Sequence, residues 1–250
     1  MTERARKLHH QRVKTPLILV PGLLCDWEVW AAQRAALQGI ADIQIAEHSQ
    51  SDSLGALAES IIARAPPQFA IAGHSMGGRI ALEVMRRVPA RVRGMALLDT
   101  GYEPLAAGQA GEHEAAGRHA LLAVARTAGM RAMIRQWVQG MVHPARLQDE
   151  DLIHGIVEMM ARHTPDLYAA QIHALLNRPD AQTVLQSIRV PSLALCGRED
   201  LSAPPSRHSA IAAMIPGCQL SIIPDCGHMA PLERPEAVSA ALRGWLSSIG

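Results

Sequence analysis

Aromatic side chains are scarce in this chain, with one Phe, two Tyr and four Trp among 250 residues. Ala, Leu, Ile, Val and Met must therefore fill the core that a chain of this length buries. Charge of one sign is not in excess either: 24 Lys+Arg face 23 Asp+Glu, for a formal net charge of +1. That balance carries no electrostatic footprint of nucleic acid or of an anionic membrane. No apolar run reaches the roughly 18 uninterrupted residues of a membrane span. The four cysteines lack C-x-x-C spacing, which argues against a zinc site. Cys218 and Cys226 flank a strand predicted over Gln219–Ile223, and an extended strand holds its ends beyond the ~7 Å Cα separation that a disulfide tolerates. Free thiols in a reducing cytoplasm are expected. Twelve His are present, most of them scattered over polar helical stretches as surface or core-rim residues.

The N-terminus imitates an export signal, because a basic segment precedes the mostly apolar Leu17–Cys25. Pro21 and Gly22 interrupt the apolar stretch, and no small-x-small cleavage site follows it. Leu24 is too bulky for a lipoprotein signal at Cys25. A cytoplasmic location is the expectation.

Short apolar runs then alternate with helical patterns. Pro16–Pro21, Ile43–Ala46, Phe69–Gly73 and Gly94–Leu98 read as strands, the first uniformly apolar as in a parallel strand covered on both faces. Trp30–Gln38, Ser53–Ala65 and Met76–Arg87 read as the intervening helices, the second capped by Ser51 or Asp52. The rhythm stops after Asp99. Glu112–Thr127, Met130–Met141, Gln148–Arg162 and Pro165–Leu176 are all helical patterns. It resumes with strands at Ser192–Cys196 and Leu220–Ile223 and helices at Ser206–Ala213 and Pro235–Ser248. The reading is an α/β fold with a mostly parallel central sheet and helices on both faces. Residues 1–100 and 188–250 form its core, and residues 101–187 form a helical cap inserted over the sheet's C-terminal edge, where open α/β sheets bind ligands. No internal repeat or low-complexity linker interrupts this plan.

Gly73-His74-Ser75-Met76-Gly77 matches G-x-S-x-G and lies between a predicted strand and a predicted helix. A serine lifted above a sheet on a tight strand-to-helix turn needs small neighbours, which Gly73 and Gly77 supply. A serine hydroxyl also needs a base to take its proton and a carboxylate to orient that base. His228 sits in Asp225-Cys226-Gly227-His228-Met229, beyond the last strand. Gly227 lends that loop flexibility, and Pro231 and Pro235 delay the final helix. Asp200 follows the Ser192–Cys196 strand. Asp99 is its main competitor as the acid. Asp225 lies too close in sequence to His228, and Glu199 should point outward. Backbone N–H groups of Met76 and of Leu23 (or Leu24) are the candidates to hold an oxyanion. Leu24, Trp137 and Met141 are candidate substrate contacts. Met130, Met133, Met159 and Met160 extend the same Met-rich stripe, for which plain helix packing is the stronger reading.

These segments resemble the α/β-hydrolase superfamily, particularly its small capped carboxylesterases. Gly73–Thr100 looks like its nucleophile-elbow region, Val190–Pro204 like its acid loop and Ile223–Val238 like its histidine loop and last helix. Pro21-Gly22 stands where the superfamily usually has His-Gly, which removes a residue that commonly braces the oxyanion loop. Too little chain precedes the first strand for the superfamily's N-terminal hairpin. The resemblance implies hydrolysis of a small-molecule ester through Ser75, His228 and Asp200, with no metal or organic cofactor, in a monomer or homodimer. A C–C bond hydrolase of ring-fission products, a perhydrolase or acyltransferase, and a non-catalytic ligand-binding protein on the same fold are the alternatives. The C–C bond hydrolases typically carry Asn where this chain has His74.

Overall fold

The computed structural model describes residues 14–249; the basic segment at residues 1–13, on which the export pattern begins, lies outside them. Six strands form one sheet: β1 (Thr15–Val20), β2 (Ala41–Ile45), β3 (Phe69–His74), β4 (Val92–Leu98), β5 (Ser192–Gly197) and β6 (Gln219–Ile223). Their spatial order is β2-β1-β3-β4-β5-β6, and every neighbouring pair is parallel. All six residues of β3 and of β5 are buried, whereas β2 alternates between buried and exposed positions. Layer position explains the difference. The inner strands are covered on both faces and tolerate only apolar side chains, while the edge strand keeps one face near water.

Eleven α-helices complete the described chain. α1 (Ala31–Leu37), α2 (Leu54–Arg64) and α3 (Met76–Arg87) alternate with the first strands. α4 (Gln109–Ala128), α5 (Met130–Trp137), α6 (Glu150–Ala161) and α7 (Pro165–Leu176) are inserted between β4 and β5, followed by α8 (Gln182–Ser187). α9 (Pro205–Met214), α10 (Ala230–Glu233) and α11 (Pro235–Ser247) close the chain. α1 packs with α11, and α3 packs with α2 and α8. α4 packs on α5 and α7, and α5 on α6, so the inserted helices form a layer of their own.

Two local expectations need correction. The N-cap of α2 is Ser53, whose Oγ accepts from the Ala56 N–H, rather than Ser51 or Asp52. The final helix does start only at Pro235, but the stretch before it is not plain loop, since α10 forms over Ala230–Glu233 with Pro231 in its first turn, where its missing N–H costs nothing.

The strand order puts the site in place. From β1 the chain moves outward to β2, then returns to lay β3 against the other side of β1. The connections leaving β1 and β3 therefore diverge at the sheet's C-terminal edge and leave a crevice between them. Ser75 follows β3 and Leu23 follows β1, so both border it.

Candidate active site

Ser75 connects β3 to α3 with φ 54° and ψ −117°. This is a positive φ that a non-glycine residue adopts at a cost of order 1–3 kcal/mol. The turn closes because its neighbours have no side chain. A Cβ at Gly73 would strike the Gly77 carbonyl, and one at Gly77 would strike the Val20 carbonyl. Thr100 fastens the turn from below, its Oγ1 donating to the Ser75 carbonyl at 2.6 Å. Ser75 holds the N-cap position of α3 yet makes no capping hydrogen bond. Its Oγ instead lies 2.8 Å from His228 Nε2.

His228 Nδ1 lies 2.8 Å from Asp200 Oδ2, so the three side chains form one hydrogen-bonded chain. Asp200 is 1% exposed. Its Oδ1 accepts from the N–H groups of Ser202 and Ala203, each at 2.8 Å, leaving Oδ2 for the imidazole. Burial acts to raise its pKa, but the charge and hydrogen bond of His228 and these two N–H donors outweigh burial and bring it down to about 2. Asp99, the competing acid, borders the same cleft but is not the partner of the His228 ring. Its Oδ1 accepts from Gly197 N–H at 3.0 Å, and its Oδ2 is 3.8 Å from His74 Nε2. Fully buried and beside the Asp200 charge, it is pushed well above the usual carboxylate range. Asp225 is exposed and faces Arg234.

The histidine loop is clamped rather than flexible. The His228 N–H donates to the Met141 carbonyl at 2.7 Å, and its carbonyl accepts from His74 Nε2 at 2.8 Å. Burial and the nearby His228 charge lower the His74 pKa to about 3, so it is a neutral donor in this bond. Glu233, 1% exposed, accepts from the N–H groups of His143, Gly227 and Met229 at 2.8 to 3.1 Å. Glu199 does not point outward: its Oε2 accepts from the Cys226 N–H at 2.9 Å. These groups escaped the sequence reading because a carboxylate or imidazole that grips a distant backbone N–H or C=O leaves no spacing pattern.

At the β1 side, Leu24 has φ 55° and its N–H donates to Gln171 Oε1 of α7 at 2.9 Å. With that N–H occupied and its side chain 0% exposed, Leu24 is neither a free donor nor a wall of the cleft. This corrects its place among the substrate contacts. Neither the Leu23 N–H nor the Met76 N–H has a protein acceptor among the described residues, and both residues border the cleft. The brace that Pro21 cannot supply comes from β2's end, where His48 Nε2 donates to the Pro21 carbonyl at 2.9 Å.

The cleft measures about 380 Å³ and is lined by Ser75, Met76, Leu23 and His228, together with Trp137 of α5 and Met141 just after it. Met130, Met133, Met159 and Met160 are buried in helix packing instead. Among the described residues, no three His, Cys, Asp or Glu side chains are grouped as metal ligands would be, and no helix is long and apolar enough to cross a membrane. All four cysteines are free.

Residues 17–241 match the model of the alpha/beta hydrolase family. A pimeloyl-[acyl-carrier protein] methyl ester esterase of Neisseria meningitidis is 28% identical over 233 residues, covering 92% of this chain and 88% of that protein. The dihydrolipoyllysine-residue acetyltransferase component of the acetoin cleaving system of Pseudomonas putida is 26% identical over 250 residues; the match covers 93% of this chain but only 63% of the relative. A thermophilic esterase from Thermogutta terrifontis superposes with a TM-score of 0.83 at 25% identity, covering 95% of this chain and 91% of that one. With the family model spanning nearly the whole chain and esterases among its relatives, the protein belongs to the alpha/beta hydrolase family.

Proposed function

We propose that the protein is a serine hydrolase that cleaves carboxylic esters through a covalent acyl-enzyme, with Ser75 as nucleophile, His228 as base and Asp200 as acid. The observation that carries this reading is the unbroken chain from Asp200 Oδ2 through the His228 ring to Ser75 Oγ, with 2.8 Å at each link. His228 Nε2 takes the Ser75 proton as Oγ attacks the ester carbonyl carbon. Asp200 holds the imidazole in the tautomer with its proton on Nδ1 and stabilises the imidazolium that forms.

The negative charge gathers on the former carbonyl oxygen, for which the Leu23 and Met76 N–H groups are the donors. Two positioned donors in a site shielded from water are worth several kcal/mol of barrier. The tetrahedral intermediate collapses as the C–O bond breaks, and His228 gives its proton to the departing alcohol. Water then repeats the sequence: His228 takes its proton, the hydroxide adds to the acyl carbon, and the Ser75 ester bond breaks with return of the proton to Oγ. The unused cap position of Ser75 supports the same reading. A serine that satisfied its own helix N-terminus would direct its lone pairs at α3, whereas this hydroxyl turns to His228 and makes no bond to the first turn of α3.

Incubation with a fluorophosphonate and a series of p-nitrophenyl esters tests the assignment. The expected result is one covalent adduct on Ser75 together with ester turnover, and a loss of roughly 10³-fold or more in kcat for Ser75→Ala and for His228→Ala. Undiminished turnover in Ser75→Ala would overturn it.

A further inference from the structure

Four arginines gather on one side of the cleft that contains Ser75. Arg79 lies on α3, Arg118 on α4 and Arg207 on α9, and all three line the cleft. Arg178, just past α7, stands behind them. Three of the four have carboxylate partners. Glu114 pairs with Arg118 at 2.9 Å and with Arg178 at 2.8 Å, and Glu103 pairs with Arg207 at 3.1 Å. Arg79 has none within ion-pair distance among the described residues. Its one acceptor is the Glu103 backbone carbonyl, 2.8 Å from Nη1. Among the described residues the Nε–Nη2 edge of the guanidinium has no protein partner, and Gly101 makes room for it, since a Cβ there would stand 2.6 Å from Nη2. Burial first, and then the Arg178 and Arg207 charges, push the Arg79 pKa down to about 9. The group is still a cation at neutral pH, and the Glu103 and Glu114 charges offset only part of that push.

Position gives this unpartnered edge a meaning. Arg79 follows Ser75 by four residues, one turn along the same helix, which places it roughly 6 Å further along the axis on the same face. A planar edge with two parallel N–H donors fits one carboxylate in bidentate fashion. We propose that this edge is an anion subsite of the cleft, and that the preferred substrate is an ester bearing a free carboxylate a few bonds from the scissile carbonyl. The assignment deepens the hydrolase reading and rests on it. A strut that merely held the Glu103 carbonyl would need one N–H and would have no use for a second, unpartnered edge on a residue that lines the cleft.

The test compares the methyl half-esters of straight-chain dicarboxylic acids with methyl esters of monocarboxylic acids of matched length. Acetyl esters of hydroxy acids and of glycerol phosphate place the anion on the alcohol side. For the wild-type protein, the best carboxylate-bearing ester should exceed its neutral counterpart by about ten- to a hundredfold in kcat/KM, the range that charge-assisted hydrogen bonds supply. The difference should lie mainly in KM and shrink as salt rises. Arg79→Gln should collapse that ratio at least tenfold, Arg79→Lys should restore part of it, and the surface control Arg126→Gln should preserve it. Calorimetry with the free dicarboxylate should detect binding to Ser75→Ala and none to the Ser75→Ala, Arg79→Gln double variant.

A wild-type preference for neutral esters, a ratio unmoved by Arg79→Gln, or an equal loss on charged and neutral esters would overturn the subsite. A preference for the phosphate ester would overturn the carboxylate assignment. Failure of the fluorophosphonate to label Ser75 would instead sink the hydrolase reading beneath it, so the two failures are distinguishable.

Discussion

Two aspartates close to His228 show how environment separates residues of identical chemistry. Asp200 receives two backbone N–H bonds and the imidazole, and is held down to about 2 by them against its burial. Asp99 receives one N–H, has no hydrogen-bond partner at Oδ2 among the described residues and is raised well above the ordinary value by burial and by Asp200 itself. Because the folded state resists ionising Asp99, its carboxyl weighs against stability increasingly as pH rises above 3.8, the unperturbed value. Asn carries no such penalty and keeps the acceptor for Gly197. Asp99→Asn should therefore be at least as stable as wild type at pH 8, with a smaller advantage at pH 5, and should alter ester turnover only mildly. Asp200→Asn should reduce kcat severely, on the order of 10³- to 10⁴-fold, by presenting the wrong hydrogen-bonding partner to His228. Thermal melts at both pH values and steady-state kinetics check the pair, and the opposite ranking of turnover would move the acid to Asp99.

At the scale of elements, the site is an arrangement of strand ends held by side chains from other elements. The loop after β6 carries His228, yet its backbone is gripped by His74 from β3, by Glu199 from the loop after β5 and by Glu233 from α10. Removing Glu233 would leave the N–H groups of His143, Gly227 and Met229 without their acceptor. Each orphaned buried N–H costs about 1–3 kcal/mol where water cannot replace the partner. With the His143 N–H only part-buried and the other two buried, Glu233→Ala should lose about 2–6 kcal/mol of stability and lower kcat at least tenfold, because the loop that aims the imidazole loses its anchor. Urea titration and kinetics on the same preparation check both. Retention of both quantities would show that the loop is held without Glu233. Gln171 plays a comparable part across the cap, since its grip on Leu24 joins α7 to the turn beside Leu23.

Over the whole molecule, buried neutral histidines link stability to acid. His208 is 0% exposed, accepts from the Thr100 N–H at 3.1 Å and donates towards the Pro204 carbonyl. Burial lowers its pKa to about 4, and burial with the His228 charge lowers that of His74 to about 3. In this window the unfolded chain binds protons that the folded one refuses, so stability falls as pH drops below 6.5. His208 accounts for roughly 3 kcal/mol of that loss by pH 4, while Asp99 works in the opposite direction. His208→Gln keeps a donor and an acceptor but does not titrate. Its unfolding free energy should decline less steeply than that of wild type between pH 6.5 and 4, and parallel curves would rule out His208 as a source of the acid sensitivity.

Local chain chemistry alone specified a great deal of this protein. Short, mostly apolar runs marked the inner strands, the glycines around Ser75 marked the elbow, and α3 and α7 run over the same residues that their periodicity indicates. Ser75, His228 and Asp200 were legible because each follows a strand, and strand ends on a parallel sheet must meet at one edge. The tertiary structure alone decided which of two aspartates faces the imidazole and which of two leucine N–H groups stays free. It also decided which members of the Met-rich stripe border the cleft. Those choices depend on contacts between residues far apart in the chain, such as Leu24 with Gln171 or His143 with Glu233. No local pattern encodes such a pair, because hydrogen bonds and burial depend on distance in space and are indifferent to separation along the sequence.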